Sequence, residues 1–130
     1  AIIGDIMTSL AAKRGVAGFV IDGAIRDAQE LASRPFPVYA RGVTRRGPYK
    51  NGPGEINVPV AIGGMVVRPG DIIVGDGDGV VAVPQADAEA VLAAAREQKK
   101  KEDASLAAIA AGTLDRKWVD ETLRAKGCKF

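Results

Sequence analysis

From Glu55 to Pro84 the chain is cut by glycine and proline into short apolar runs. Those runs, residues 56–62, 65–67, 71–74 and 80–83, are separated by Gly63-Gly64, Pro69-Gly70 and Gly75-Asp76-Gly77-Asp78-Gly79. Gly-Gly and Asp-Gly supply the positive φ angles of tight hairpins, so this stretch reads as short strands joined by turns. The flanks read differently. Gly4-Asp5 looks like a turn into a helix over residues 6–14, with Asp5 as its cap, Ile6, Leu10 and Ala11 inward, and Gly15 closing it. Residues 16–21 form a continuous apolar run, the mark of a strand buried on both faces. Asp22-Gly23 then turns the chain into a second helix over 25–31, stopped before Pro35. Another strand covers 37–43, and a basic loop rich in glycine and proline covers 44–54. After Pro84 an alanine-rich helix is expected over 86–111, with its stop at Gly112. A last helix runs over 114–125 and ends at Gly127, with Trp118, Val119 and Leu123 on one apolar stripe. The class is α/β: one domain over residues 1–130, with a sheet core and helices before and after it.

Composition removes several functions. The chain of 130 residues carries a formal net charge of +2, too little to argue for nucleic acid. Aromatic residues are only 5%, which leaves few platforms for stacking bases. No run resembles a membrane span, and the single cysteine, Cys128, cannot form an intrachain disulfide. A reducing compartment fits, and a cytoplasmic location is expected. There is no histidine, which removes the commonest general base and the commonest zinc ligand. Proton and metal chemistry falls to carboxylates, arginine, lysine, backbone and water.

The residues able to do that chemistry are Asp5, Arg26, Asp27 and Glu30. Asp5 sits at a helix start, and Arg26 and Asp27 lie just after a buried strand. In α/β folds ligands gather where the carboxyl ends of strands meet loops and helix N-termini. The free N–H groups of Ile6 and Met7 suit a substrate carboxylate. Arg26 offers a planar donor fork for a carboxylate or an enolate oxygen. Asp27 is a hard oxygen ligand suited to Mg²⁺ or Mn²⁺, which keeps several waters. A second reading stands beside this one. Asp5 can be a plain helix cap, and Arg26, Asp27 and Glu30 a solvated helix face contributing under about 1 kcal/mol.

The stretches Gly4-Asp5-Ile6-Met7, Gly15 through Asp27 (GVAGFVIDGAIRD), Asn57-Val58-Pro59-Val60 and Val67 through Val80 (VRPGDIIVGDGDGV) resemble one family closely. It contains the 4-hydroxy-4-methyl-2-oxoglutarate and 4-carboxy-4-hydroxy-2-oxoadipate aldolases and the regulator of ribonuclease E activity A. The resemblance spans nearly the whole chain, and the pattern Asp-x20-Arg-Asp-x2-Glu is complete as Asp5, Arg26, Asp27 and Glu30. It implies a swivelling β/β/α-type sheet core with flanking helices and a class II pyruvate aldolase that uses Mg²⁺ or Mn²⁺. Asp27 is then the metal ligand, and Asp5 holds a water on the metal that relays protons. Arg26 binds substrate and stabilises the pyruvate enolate. The amides of Ile6 and Met7, beside Gly4, hold the pyruvate carboxylate. Oxaloacetate decarboxylation follows as a side activity, because loss of CO2 yields the same enolate. The resemblance further implies a homotrimer or a hexamer built from two trimers, with an acidic residue of a neighbouring copy near the metal. Glu102 is the candidate; its other reading is a surface charge in Lys99-Lys100-Lys101-Glu102-Asp103. Family chains carry a sizeable segment before the Gly-Asp loop, so this chain is expected to be the carboxyl-terminal portion of a longer one.

Three functions compete. The first is a metal-dependent lyase acting on a 2-oxo acid. The second is a non-enzymatic protein that binds and masks a ribonuclease. The third is a stand-alone oxaloacetate decarboxylase using the same residues. The acidic pattern favours an enzyme, since masking needs no metal ligand. A Schiff-base lysine wants an apolar pocket, and every lysine here lies in a polar stretch, so a class I aldolase is disfavoured. Gly75 to Gly79 lacks the glutamate of a calcium loop and is read as a hairpin turn. Arg45, Arg46 and Lys50 have two readings: cations greeting a polycarboxylate at the mouth of the site, or a solvated basic loop.

Overall fold

The computed structural model describes residues 1–129. It divides into two compact units, one ending at Gln85 and one beginning at Ala86.

The first unit opens with residues that hydrogen-bond to the end of a strand. Ile2 N–H donates to Ala24 O at 2.7 Å and Arg26 N–H to Ile3 O at 3.0 Å, which draws Ile3 into the core. Helix α1 follows, Asp5–Lys13. It ends where expected: Gly15 takes φ 80°, its N–H bonds to Ala12 O, and Val16 N–H reaches back to Ala11 O. That paired closure needs a left-handed residue, which glycine supplies without strain. The inward face differs from expectation. Thr8 is the buried residue of α1, whereas Ile6 and Leu10 are exposed. Docking of Gly4 and Asp5 onto the Arg26-Asp27 turn fixes the rotation of the helix, and Thr8 Oγ1 is satisfied by donating to Gly4 O at 3.0 Å.

Strand β1, Phe19–Ile25, pairs in parallel with β2, Val38–Val43, from Phe19↔Val38 to Ile25↔Val43. Asp22-Gly23 does not turn the chain. It forms a bulge inside β1, where the register slips between Ile21 and Ala24 and the two residues face Arg41 alone. The bulge is fastened from outside, since Asp22 pairs with Arg41 and accepts the Gly63 N–H. Consequently β1 continues to Ile25, and helix α2 starts later than expected, at Ala28–Ala32.

Two hairpins complete the unit. Strands β3, Val60–Ile62, and β4, Met65–Val67, are joined by Gly63-Gly64 with φ 60° and 85°, the two positive angles that match the twist of a two-residue hairpin. The strand expected from residue 56 starts only at Val60, because Asn57 adopts φ 55° and Pro59 lacks an N–H. Strands β5, Ile72–Gly75, and β6, Val80–Val83, form the second hairpin. Its loop closes on itself: Asp76 N–H bonds to Gly79 O, and Asp78 N–H bonds to Asp76 Oδ1.

The core is small. Ile3, Ile25 and Leu31 are buried together, with Phe19, Ile21, Ala28 and Val38 packed on them. Phe19 and Phe36 add an edge-to-face contact with centroids 5.4 Å apart. The core thus fastens the first residues, the end of β1 and α2 to one another, the elements that flank Asp5, Arg26, Asp27 and Glu30.

The second unit holds the long helix α3, Ala88–Ala110, and the shorter α4, Lys117–Ala125. Both stop at the expected glycines, Gly112 at φ 67° and Gly127 at φ 83°, in the same paired closure as α1. Residue 114 is not yet helical; α4 begins only at Lys117, after Asp115 Oδ1 accepts the Lys117 N–H. No helix of the described residues is long and apolar enough to cross a membrane.

Candidate active site

Asp27 is the pivot. It sits between the end of β1 and the start of α2 with φ 57° and ψ 32°, a left-handed conformation that aspartate tolerates better than most residues. Such conformations persist where surrounding structure over-determines them, and they cluster at functional sites. Here the surroundings are the buried Ile25 on one side and Leu31 on the other, whose N–H bonds to Asp27 O at 2.9 Å.

The Asp27 carboxylate is only half used. Its Oδ2 accepts the backbone N–H of Asp5 at 3.0 Å and lies 3.8 Å from Arg26 Nε. Its Oδ1 has no hydrogen-bond partner among the described residues. Both side chains remain accessible, Arg26 at 51% and Asp27 at 44%. Gly4 makes this approach possible. A methyl group on its Cα would stand 2.5 Å from Asp27 Oδ2 and 2.9 Å from Arg26 Cγ. The need is for space, since Gly4 itself has an extended backbone.

Asp5 is not the helix cap. Gly4 occupies that position, Asp5 is the first helical residue, and no side chain caps α1. The Asp5 carboxylate turns toward Arg34: its Oδ1 forms an ion pair with Arg34 Nη1 at 2.6 Å and accepts from Ser9 Oγ at 3.2 Å. The first intrahelical bond is Thr8 N–H to Gly4 O, so the N–H groups of Ile6 and Met7 are left without a backbone acceptor at the positive end of the helix. Glu30 Oε1 takes Arg34 Nη2 at 2.9 Å. That hydrogen bond, followed by the negative charge of Asp5, raises the Arg34 pKa above its ordinary value.

Two depressions meet at Asp27. One, of about 770 Å³, is lined by Asp5, Ile6, Asp27, Glu30 and their neighbours on α2. The other, of about 370 Å³, is lined by Arg26, Asp27, Val43, Thr44 and Arg45. The fold therefore brings together Gly4, Asp5, Ile6, Met7, Arg26, Asp27 and Glu30. Glu102 lies on α3 in the second unit, where it accepts a hydrogen bond from Gln98. Arg45 joins Arg26 around the smaller depression, whereas Arg46 lines a different one with Ala1 and Tyr49. Sequence reasoning missed Arg34 and Ser9. The spacing of Glu30 and Arg34 could have suggested an ion pair along the helix, but nothing local points from Arg34 to Asp5.

No three His, Cys, Asp or Glu side chains among the described residues converge as a metal cage. The donor set fits a hard, hydrated ion instead. Mg²⁺ is commonly held through one or two carboxylates and keeps its remaining waters. Asp27, with one free oxygen and an accessible carboxylate, meets that need.

Residues 1–82 match the family model RraA-like, described as Aldolase/RraA. This chain belongs to that family. A Halalkalibacterium halodurans protein bearing the provisional name 4-hydroxy-4-methyl-2-oxoglutarate aldolase is 45% identical over 109 residues, 84% of this chain and 52% of the relative. A solved protein of Pseudomonas syringae, described as uncharacterized, superposes with a TM-score of 0.79 at 36% identity over 88% of this chain and 57% of that one. Streptomyces coelicolor RraAS2, described as an unusual member of the RNase ES inhibitor RraA family, superposes with a TM-score of 0.72 at 34% identity, covering 81% and 54%. The α/β arrangement is thus that of the RraA fold. The chain spans about half the length of the curated relatives it matches.

Proposed function

We propose that this RraA-like chain carries the metal and substrate loops of a divalent-metal-dependent pyruvate aldolase. Its substrates are 4-carboxy-4-hydroxy-2-oxoadipate, 4-hydroxy-4-methyl-2-oxoglutarate or both, with oxaloacetate decarboxylation as a side activity. The observation that carries the reading is the convergence on Asp27: a carboxylate in a left-handed turn, one oxygen fixed by the Asp5 amide, the other free, with Arg26 beside it.

The residues divide the work as follows. Asp27 would hold Mg²⁺ or Mn²⁺, and a bound divalent ion supplies Lewis-acid polarisation of the 2-oxo group. The unpaired amides of Ile6 and Met7 would donate to the carboxylate next to that group. Arg26 presents its guanidinium to the oxygen on which negative charge develops, a fixed cation that needs no reorganisation during reaction. Cleavage breaks the C3–C4 bond. Its electron pair passes to C3 as the pyruvate enolate, the 4-hydroxyl loses its proton, and C3 later regains one. The Asp5 carboxylate, which lines the same depression as Asp27, would hold the water that accepts and returns that proton. Assembly as a trimer or a dimer of trimers, with Glu102 of a neighbouring copy near the ion, belongs to the same proposal.

The test is pyruvate release by the full-length protein from oxaloacetate and from a 4-hydroxy-2-oxo diacid, with Mg²⁺ and then with excess chelator. Chelator-sensitive release supports the reading. The competing reading, a ribonuclease-binding regulator, draws on two solved relatives, one described as a member of an RNase ES inhibitor family and one as an RNA-processing inhibitor. No pyruvate from either substrate, with metal present and the protein folded, would favour that regulator instead.

A further inference from the structure

Arg34 belongs to none of the roles assigned above, yet it makes more charged contacts than any other residue near Asp27. It stands just beyond the end of α2, where its N–H bonds to the carbonyl of the buried Leu31 at 3.2 Å. From that anchored root its guanidinium spans two elements. Nη1 meets Asp5 Oδ1 at 2.6 Å and donates to Ser9 Oγ at 2.5 Å, both on α1. Nη2 meets Glu30 Oε1 at 2.9 Å on α2. Ser9 Oγ in turn donates to the same Asp5 oxygen.

We propose that Arg34 is a positioning residue: it clamps the Asp5 carboxylate through Oδ1, using Glu30 as its counter-anchor, and so presents Oδ2 to the water that carries the proton. The inference rests on the lyase reading, in which Asp5 holds the water that relays a proton. Three observations carry it. Asp5 Oδ1 is engaged twice, while Oδ2 has no hydrogen-bond partner among the described residues. An ion pair and a hydrogen bond on one oxygen, with the backbone held by the Asp5 amide, set the direction in which the carboxylate turns. Arg34 is absent from the lining of the depression that Asp5 and Glu30 face; it borders a separate one, with Leu31, Phe36 and Val38. It therefore acts on Asp5 from outside the substrate space. Glu30, the last member of the acidic pattern, gains a role that needs no contact with substrate or metal.

An exposed ion pair contributes little to stability, so the effect of the clamp falls on geometry. Misplacing a reacting group by about 1 Å can cost about a hundredfold in rate. In full-length protein, Arg34→Ala is expected to lower kcat for pyruvate release from oxaloacetate by about tenfold to a hundredfold. KM, and the calorimetric affinity for pyruvate, should stay within about twofold, because Arg26 and the Ile6 and Met7 amides are untouched. Added guanidinium ion should restore part of the lost rate in Arg34→Ala and none in Asp5→Asn. Arg34→Lys, able to reach one acceptor at a time, should lie between Arg34→Ala and wild type. Glu30→Gln should show a milder loss of kcat in the same direction. If Arg34→Ala fails to fold, Arg34→Lys and Glu30→Gln carry the same test. Unchanged kcat in all three variants, with an active wild type, overturns the clamp alone. So does a loss of kcat that is matched by a rise in KM and by weaker pyruvate binding. A wild type that releases no pyruvate overturns the lyase reading, and the clamp with it.

Discussion

Replacing Gly4 with alanine adds one methyl group at the point where α1 docks on the Arg26-Asp27 turn. The new carbon would stand 2.5 Å from Asp27 Oδ2, 2.9 Å from Arg26 Cγ and 3.0 Å from Arg26 Nε, whereas ordinary contact begins at 3.4 Å. The backbone does not object, since Gly4 lies at φ −152° and ψ −162°, which alanine adopts freely. The whole perturbation therefore reaches the carboxylate, which must retreat by nearly 1 Å, and the Arg26 side chain, which must retreat by about half as much. Overpacking of a filled site costs about 1–3 kcal/mol. Here both neighbours are about half exposed and can swing outward, so the loss of stability should fall near the lower end, about 1 kcal/mol, or a few degrees in Tm. Activity should suffer far more, by about a hundredfold for a displacement of about 1 Å. The Asp5 N–H to Asp27 Oδ2 bond would be lost as well. Thermal denaturation and pyruvate release, measured on the same preparation, separate the two effects. Wild-type turnover in folded Gly4→Ala would refute the placement of Asp27 and Arg26 at the reacting centre.

Three further outcomes are expected. Asp27→Asn keeps the left-handed turn, which asparagine also tolerates, but removes the charge; calorimetry should show divalent-ion binding lost while Tm shifts by no more than about a degree or two. Leu31→Ala, at the 4% exposed centre of the small core, should cost about 2–5 kcal/mol in denaturant unfolding; a loss below about 1 kcal/mol would refute the core assignment. Arg45→Ala should raise KM for a 4-hydroxy-2-oxo diacid, whose second carboxylate lies beyond C4, and leave the shorter oxaloacetate nearly unaffected, because Arg45 borders the smaller depression beside Arg26. Equal effects on both substrates would assign Arg45 to general attraction of anions.

The grouping of the candidate residues was legible before any fold: Asp5 opens α1, Arg26 and Asp27 follow β1, and Glu30 lies on α2, as strand ends and helix starts meet in an α/β arrangement. The part that was not legible concerns which group each side chain meets. Asp5 reads as a helix cap from its neighbours, yet its carboxylate turns to Arg34, and its amide, not its side chain, reaches Asp27. Ile6 and Leu10 have the spacing of an inward face, but the docking of Gly4 rotates α1 so that Thr8 is buried. Asp22-Gly23 carries every local mark of a turn and lies instead in a bulge, held by Arg41 and by the Gly63 N–H forty-one residues away.

The dividing line follows the range of the forces. Gly15, Gly112 and Gly127 end their helices, and Gly63-Gly64 turns its hairpin, because a positive φ is a property of one residue and its nearest hydrogen bonds. Those features were settled by the sequence alone. The phase of α1, the bulge in β1 and the Arg34 bridge depend on partners that only the closed fold brings within a few ångströms. No local propensity encodes such a meeting, so the tertiary structure decided them.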